Sequence, residues 1–313
     1  MTTNEVRRGL RRFEAGFTLL EMLVSIAIIG ILIAISLPAV QSIRSTMRKA
    51  DCSNRIRQQV LAVSVFADRH GHLPGNGGIG GPDAKPIEYP SKQGSLFVPS
   101  TTDLSDLRVY RWGLGDTNVG SREQTGSWAY AVLPGLELKA VQSNEDFEAT
   151  LQVFHCPSRG RMMESESVDD DYGIYIDGGW SMSKTDYCMN GFLATVQPEV
   201  QTWSVVTDGL SQTIFVGEKA IDPSVHFGTS WYWDEPVWVG GSKGTARSGT
   251  KIFPDRIGIE FRDNWGSPHV GGAQFAYGDG SVRFIAFAVD SKVFKSAISP
   301  GGSHPIEVED EGP

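Results

Sequence analysis

The segment Phe17–Val40, FTLLEMLVSIAIIGILIAISLPAV, carries a single charged residue, Glu21. As a helix rising about 1.5 Å per residue, it is long enough to cross the roughly 30 Å hydrocarbon core of a bilayer. Upstream, Arg7, Arg8, Arg11 and Arg12 form a basic leader that stays on the cytoplasmic side, so the rest of the chain is expected to face outward. A cleaved secretory signal has an apolar core of about 7–15 residues followed by a small-residue cleavage site. Here the run is longer, and Gln41-Ser42-Ile43-Arg44 continue a helical pattern. Glu21 is expensive in such a segment, at about 2.5–3.5 kcal/mol on insertion scales. No cation lies between Phe17 and Val40. The counter-charge is therefore expected from another subunit, and an α-amine released by cleavage just before Phe17 would supply it.

Beyond Pro38 the pattern becomes amphipathic. Cys52, Ile56, Val60, Val63 and Ala67 recur at helical spacing on one face, while Arg55, Arg57, Gln58 and Asp68 lie elsewhere on the helix. The helix is expected to run to about Arg69 and to end at Gly71 and His72-Leu73-Pro74-Gly75. From Asn76 to Lys92 the chain reads as Gly/Pro-rich loop. Short apolar runs between turn signals follow, read as strands of an antiparallel sheet: Trp128–Leu133, Leu151–Phe154, Ser204–Thr207, Thr213–Val216, Gln274–Tyr277 and Ser281–Ala288. Gly278-Asp279-Gly280-Ser281 between the last two predicts a hairpin with an Asp-Gly type I′ turn. Glu164, Glu166 and Asp169-Asp170-Asp171 mark an acidic loop that lacks the alternating ligand spacing of an EF-hand.

The 313 residues include 28 Lys+Arg against 37 Asp+Glu, a net charge of -9, so phosphate attraction is absent and no nucleic-acid partner is expected. Thirty-six Gly and 16 Pro favour many short strands and loops over a helical bundle. No His-Glu-x-x-His, Cys-x-x-Cys or phosphate loop occurs, and the Gly-rich stretch Gly240-Gly241-Ser242-Lys243-Gly244-Thr245 reads as a plain loop. A non-enzyme without cofactor or metal is expected. His269 and Asp279 are read as turn and loop residues, since no second carboxylate or His is placed in the sequence to complete a site with them. Trp231, Trp233 and Trp238 crowd one segment beside Tyr232, Asp234 and Glu235. Core or subunit contact explains them best, and they are also the best candidates for a ligand surface.

Ala15-Gly16-Phe17-Thr18-Leu19-Leu20-Glu21 resembles the type IV pilin signal. The resemblance implies cleavage by a prepilin peptidase between Gly16 and Phe17, methylation of the new Phe17 amine, assembly through Glu21, and a helix kink at Pro38. Along nearly the whole chain the sequence also resembles a pilin-like family abundant in planctomycetes, domain-of-unknown-function family 1559. The residues that carry this likeness include Cys52-Ser53-Asn54, Gln58-Gln59, Phe154-His155-Cys156-Pro157-Ser158, Thr207-Asp208-Gly209, Val216-Gly217-Glu218 and Ser267-Pro268-His269. They also include the His-x9-Asp-Gly segment formed by His269, Asp279 and Gly280. Two departures stand out: Arg159, where an Asp usually follows Cys-Pro-Ser, and the additional Cys188.

Three Cys allow three single pairings. Cys52–Cys156 is expected to form a disulfide, because Cys52 lies on the apolar helix face and Cys156 follows an expected strand. Cys188, expected in a loop and outside the family pattern, is the competitor. The expected fold is α+β, a long N-terminal transmembrane-then-amphipathic helix packed on a C-terminal antiparallel β-sheet head. Its parts are a cleaved leader 1–16, a membrane half-helix 17–40, an amphipathic half-helix 41–70, a head 71–300, and an acidic, disordered tail 301–313. The expected role is a structural subunit of a type IV pilus-like or type II secretion pseudopilus-like filament. Prepilin peptidase, other pilin-like subunits and the inner membrane would be its partners, with the N-terminus cytoplasmic and the head periplasmic or extracellular. The alternative is a membrane-anchored module that binds carbohydrate or protein and never polymerises.

Overall fold

The computed structural model describes residues 18–78, 113–161, 181–225, 236–257 and 263–301, with the short strand segments 88–91, 94–97, 100–103, 109–111, 164–165 and 173–175. Its contacts group into two compact units, Met1–Met47 and Arg48–Pro313. Helix α1, Leu19–His70, contributes to both. In the first unit its apolar side chains, Leu19 to Val40, are exposed, and the stretch is long and apolar enough to cross a membrane. Ser25 and Ser36 do not break it, because each hydroxyl donates back to the carbonyl four residues earlier, Glu21 O and Leu32 O, at 2.7 Å. Pro38 lies inside the helix and has no N–H to donate to the preceding turn.

In the second unit α1 buries Cys52, Ile56, Val60, Val63 and Ala67, as the spacing predicts, and also Gln59, Ala62 and Phe66. Gln59 is accommodated because its Nε2 donates to Val153 O at 2.7 Å. The helix ends where Gly71 takes a positive φ of 75° and its N–H returns to Ala67 O.

That face covers a five-stranded sheet built from β1 (Tyr187–Asn190), β2 (Ile214–Glu218), β3 (Ala246–Arg247), β4 (Gly272–Tyr277) and β5 (Val282–Ala286), in the order β3-β1-β2-β4-β5. Four strands run antiparallel in sequence across it, and β3 joins β1 in parallel, so the sheet is mixed rather than wholly antiparallel. Side chains alternate between its faces. Tyr187 and Met189 join the core cluster of α1, while Cys188 between them joins the cluster on the opposite face. On β2, a register irregularity between Ile214 and Val216 puts both Phe215 and Val216 on the α1 side. Helix α2 (Ser291–Ile298) closes the other face with Phe294 and Ile298, after Asp290 caps its start by accepting the Lys292 and Val293 N–H groups. Cys188 therefore sits in a central strand, not in the loop expected for it, and its thiol donates to Gly244 O at 3.2 Å.

Three expected strands are helical instead. Trp128–Val132 is a short α-helix that runs into a 3-10 turn at Leu133–Leu136, and Gln152–Phe154 and Trp203–Val205 are 3-10 turns. Ser127 Oγ accepts the Tyr130 N–H as an N-cap, and Pro134 opens the following turn. Trp128, Ala129, Tyr130, Val132 and Leu133 are all buried, so the run carries no period that separates strand from helix. The β4–β5 hairpin is present, but its turn is not type I′. Only Gly280 has positive φ, 82°, while Gly280 N–H bonds Tyr277 O and Tyr277 N–H bonds Ser281 O. This is a three-residue connection with Gly at the left-handed position. Asp279 spends its carboxylate on the Ser281 N–H at 2.9 Å.

Behind β1 lies a buried ionic network. Asp186 receives Arg159 Nη1 at 2.8 Å, Arg161 Nε at 2.7 Å and the Cys156 N–H at 2.5 Å, and Arg159 Nε also pairs with Asp255 at 2.8 Å. Burial works against the Asp186 carboxylate, and the two guanidiniums more than offset it, holding it well below the usual carboxylate range. The unusual Arg159 thus has a specific role, bridging two carboxylates.

Ile56→Ala is expected to destabilise the second unit by about 2–5 kcal/mol in urea denaturation, because Ile56 is fully buried. The exposed Val65→Ala control should stay within about 0.5 kcal/mol. Asp186→Ala leaves two buried guanidiniums without their shared counter-charge and is expected to cost about 3–5 kcal/mol by the same measurement.

Candidate functional site

Among the described residues, two regions carry chemistry. The first is the start of α1. Gly16 and Phe17 lie outside the described residues, as does the leader. Thr18 and Glu21 form a reciprocal cap: Glu21 Oε2 accepts the Thr18 N–H and its hydroxyl, each at 2.9 Å, and Thr18 Oγ1 accepts the Glu21 N–H at 3.2 Å. Sequence reasoning sought a partner for Glu21 only among cations and passed over this cap, although Thr-x-x-Glu before an apolar run is its signature. Within one subunit, the carboxylate is therefore held at the helix start by dipoles.

The second region is buried in the head. Four elements each contribute one side chain: Cys52 from α1, Cys156 after the Gln152–Phe154 turn, Glu218 at the end of β2, and His269 from the loop after Trp265–Ser267. Their ligand atoms all lie within 4.8 Å of one another, and all four residues are buried. Cys52 Sγ and Cys156 Sγ are 2.9 Å apart as free thiols, Cys156 Sγ and His269 Nε2 are 3.7 Å apart, and His269 Nε2 and Glu218 Oε1 are 3.1 Å apart. The backbone orients each group. Glu218 Oε2 accepts the Gln274 N–H at 2.7 Å, the His269 N–H donates to Ser267 Oγ at 3.0 Å, and Ser267 Oγ donates to Gly272 O at 2.7 Å. Burial pulls the His269 imidazole down, but the neighbouring Cys156 sulfur and the Glu218 carboxylate outweigh it and lift it to about 9. The Cys156 thiol is driven far up, first by the adjacent Cys52 sulfur and then by burial.

The structure thus brings together Cys52, Cys156 and His269 of the sequence-predicted residues, and separates His269 from Asp279. Asp279 is exposed in the β4–β5 turn, whose Gly280 carbonyl accepts Arg57 Nε at 3.2 Å. The expectation that no further carboxylate would complete a His269 site is corrected by Glu218. The available signal was a charged residue closing the fully apolar run of β2, which a buried strand does not tolerate without a partner.

Trp238 is not a surface residue. It is fully buried, with its ring 4.8 Å from that of Phe147 and 5.4 Å from that of Tyr130, while Trp231 and Trp233 lie outside the described residues. The acidic loop beyond Ser165 and the tail beyond Gly301 are likewise outside them. Sequence reasoning also passed over the Gly-x-Ser-x-Gly spacing of Gly240 to Gly244. That stretch joins strand Val239–Gly240 to β3, not a strand to a helix, and Ser242 Oγ accepts the Gly244 N–H at 3.0 Å, so it is not a nucleophile elbow.

Comparison with known proteins matches both regions. The family model described as "Protein of unknown function (DUF1559)" covers residues 41–292, and that described as "Prokaryotic N-terminal methylation motif" covers residues 11–37. A fimbrial protein of Neisseria meningitidis serogroup B is 36% identical over 67 residues, 21% of this chain and 39% of that protein. The fimbrial protein EcpC of Eikenella corrodens is 38% identical over 72 residues, 23% of this chain and 47% of its own length. A type IV major pilin protein, PilE1, of Neisseria gonorrhoeae is 31% identical over 83 residues, 26% of this chain and 50% of that pilin. The chain spans half or less of the length of these relatives. No solved structure matches it.

Proposed function

The chain belongs to the DUF1559 family, and from that premise we propose that it is a structural subunit of a type IV pilus-like or type II secretion pseudopilus-like filament. The observation that carries this reading is the start of α1: a methylation-motif segment leading into an exposed apolar helix, with one carboxylate, Glu21, at its first turn. A plain membrane anchor would gain only a helix cap from that carboxylate, at the insertion cost of a charge. A filament gains more, because each incoming subunit brings an amine that the Glu21 of a neighbour can neutralise. The Thr18 cap would hold Glu21 until then, and exchanging dipoles for a full charge would favour assembly over storage.

In this reading prepilin peptidase cuts between Gly16 and Phe17 and methylates Phe17. The apolar half of α1 stores the subunit in the inner membrane with its N-terminus cytoplasmic and its head outside. Pro38 marks where the helix can bend as subunits stack. The head is structural in this reading, as the names of the curated relatives, fimbrial and pilin proteins matched over 21% and 26% of this chain, suggest for them.

Mass spectrometry of protein purified from its membrane should find a mature chain beginning at methylated Phe17, and Gly16→Val should leave the leader attached. A chain retaining Met1 in the wild type would sink the assignment. Glu21→Ala should leave the protein membrane-inserted, since it removes the costliest residue of the segment, yet reduce cross-linking between neighbouring subunits in cells at least about tenfold, roughly 1.4 kcal/mol of the lost pairing. Unchanged cross-linking would instead favour a membrane-anchored binding module that does not polymerise.

A further inference from the structure

We infer that Cys52, Cys156, Glu218 and His269 form a structural metal site that takes a thiophilic divalent cation, zinc above all. The geometry carries the assignment. Two sulfurs, one imidazole nitrogen and one carboxylate oxygen converge from four separate elements within 4.8 Å. Tetrahedral zinc has bonds of about 2.0–2.3 Å, which sets ligand-to-ligand edges of roughly 3.3–3.8 Å. The His269 Nε2 to Glu218 Oε1 contact of 3.1 Å and the Cys156 Sγ to His269 Nε2 contact of 3.7 Å lie within a few tenths of an ångström of those edges. The two sulfurs, 2.9 Å apart, would separate by about 0.9 Å to flank the ion as thiolates.

The chemistry of the donor set selects among metals. Two thiols and an imidazole suit zinc and disfavour magnesium and calcium, which want oxygen donors. All four donors come from the chain and all are buried, so no position faces solvent for a substrate. This is the closed form of a structural site rather than the open form of a catalytic one. The supporting hydrogen bonds are in place. The Gln274 N–H fixes Glu218 through Oε2, leaving Oε1 toward the centre, and the Cys156 N–H is anchored on Asp186.

A disulfide between Cys52 and Cys156 would use the same two sulfurs and excludes the metal. It gives no role to Glu218 and His269, a buried carboxylate and imidazole joined at 3.1 Å directly beside the thiols. A metal uses all four. On binding, the thiols of Cys52 and Cys156 give up their protons and His269 binds through an unprotonated Nε2, so two thiolates and one carboxylate surround the dication and the site carries one net negative charge. The consequence is mechanical: the ion would pin the Cys52 turn of α1 to the end of β2 and to the loop preceding β4. This site does not depend on the filament reading, and its test does not involve assembly.

The test uses the full chain, solubilised from its membrane in detergent without chelator or reductant. Elemental analysis should find about one zinc ion per chain, and Cys52 and Cys156 should resist alkylation until a chelator is added, while Cys188, buried in β1 outside the cluster, should stay protected with and without the chelator. Exchange with cobalt(II) alone should produce a thiolate-to-cobalt charge-transfer band. That band should vanish in Cys156→Ser and lose intensity and stoichiometry in His269→Ala, whereas Glu218→Gln should weaken cobalt binding while retaining the thiolate signature. Should the Cys156 variant fail to fold, the alkylation-protection and cobalt measurements on the wild type still decide. Peptide mapping that finds Cys52 bonded to Cys156 in metal-free protein overturns the inference, as does a wild-type chain with both thiols reduced that gives no saturable cobalt band.

Discussion

The face of α1 that carries Ile56, Val60 and Val63 lies over one side of the five-stranded sheet, and the character of that sheet follows from the cover. With α1 on one side and α2 on the other, β1, β2 and β4 have both faces buried, and every residue of these strands is removed from solvent. Their sequences therefore read as mostly apolar runs, interrupted by Asn190, Glu218 and Gln274, rather than as alternation. β5, at the edge, is the exception, with its side chains exposed or half-exposed. Losing the α1 contact would expose the Tyr187, Met189, Phe215 and Val216 side of the sheet at once.

A sheet buried on both sides must also dispose of its polar residues, and the head does so by pairing them. Asp186, Arg159, Arg161 and Asp255 neutralise one another at the mouth of β1. Asn190, also fully buried, donates its amide to Ile214 O and Ile298 O at 2.8 and 2.6 Å, which ties β1 to β2 and to the last turn of α2. Glu218 at the end of β2 is the same problem solved differently, by a backbone N–H on one oxygen and His269 on the other. Buried charges of this kind stabilise little in net terms, but removing one partner is costly, so they fix which residues must meet.

The two ends of α1 obey opposite solvents. The stretch to Val40 has apolar side chains on all sides and is exposed among the described residues, which suits lipid and neighbouring helices. From Cys52 onward only one face is apolar, which suits packing on a sheet with water on the other side. The proposed filament role would use both, the first part to hold subunits together and the second to present a folded head.

The sequence by itself determined what depends on neighbours along the chain. The membrane-length apolar run, the motif around Gly16 and Glu21, the helical seam from Cys52 to Ala67, the end at Gly71 and the β4–β5 hairpin each rest on a period or a turn residue within a few positions. The tertiary structure decided whatever lacks such a local signal. The runs at Trp128, Gln152 and Trp203 are too short and too uniformly buried to show a period, so packing chose helical turns over strands. The turn type was set by which single residue took positive φ, and Gly280 takes it more cheaply than Asp279. The four-residue cluster was the least legible of all. Cys52 and Cys156 are 104 residues apart, Cys156 and His269 113, and Glu218 and His269 51. No pattern along the chain encodes their meeting, because it is the sheet order, with β4 beside β2 and α1 across them, that brings the four side chains to one point.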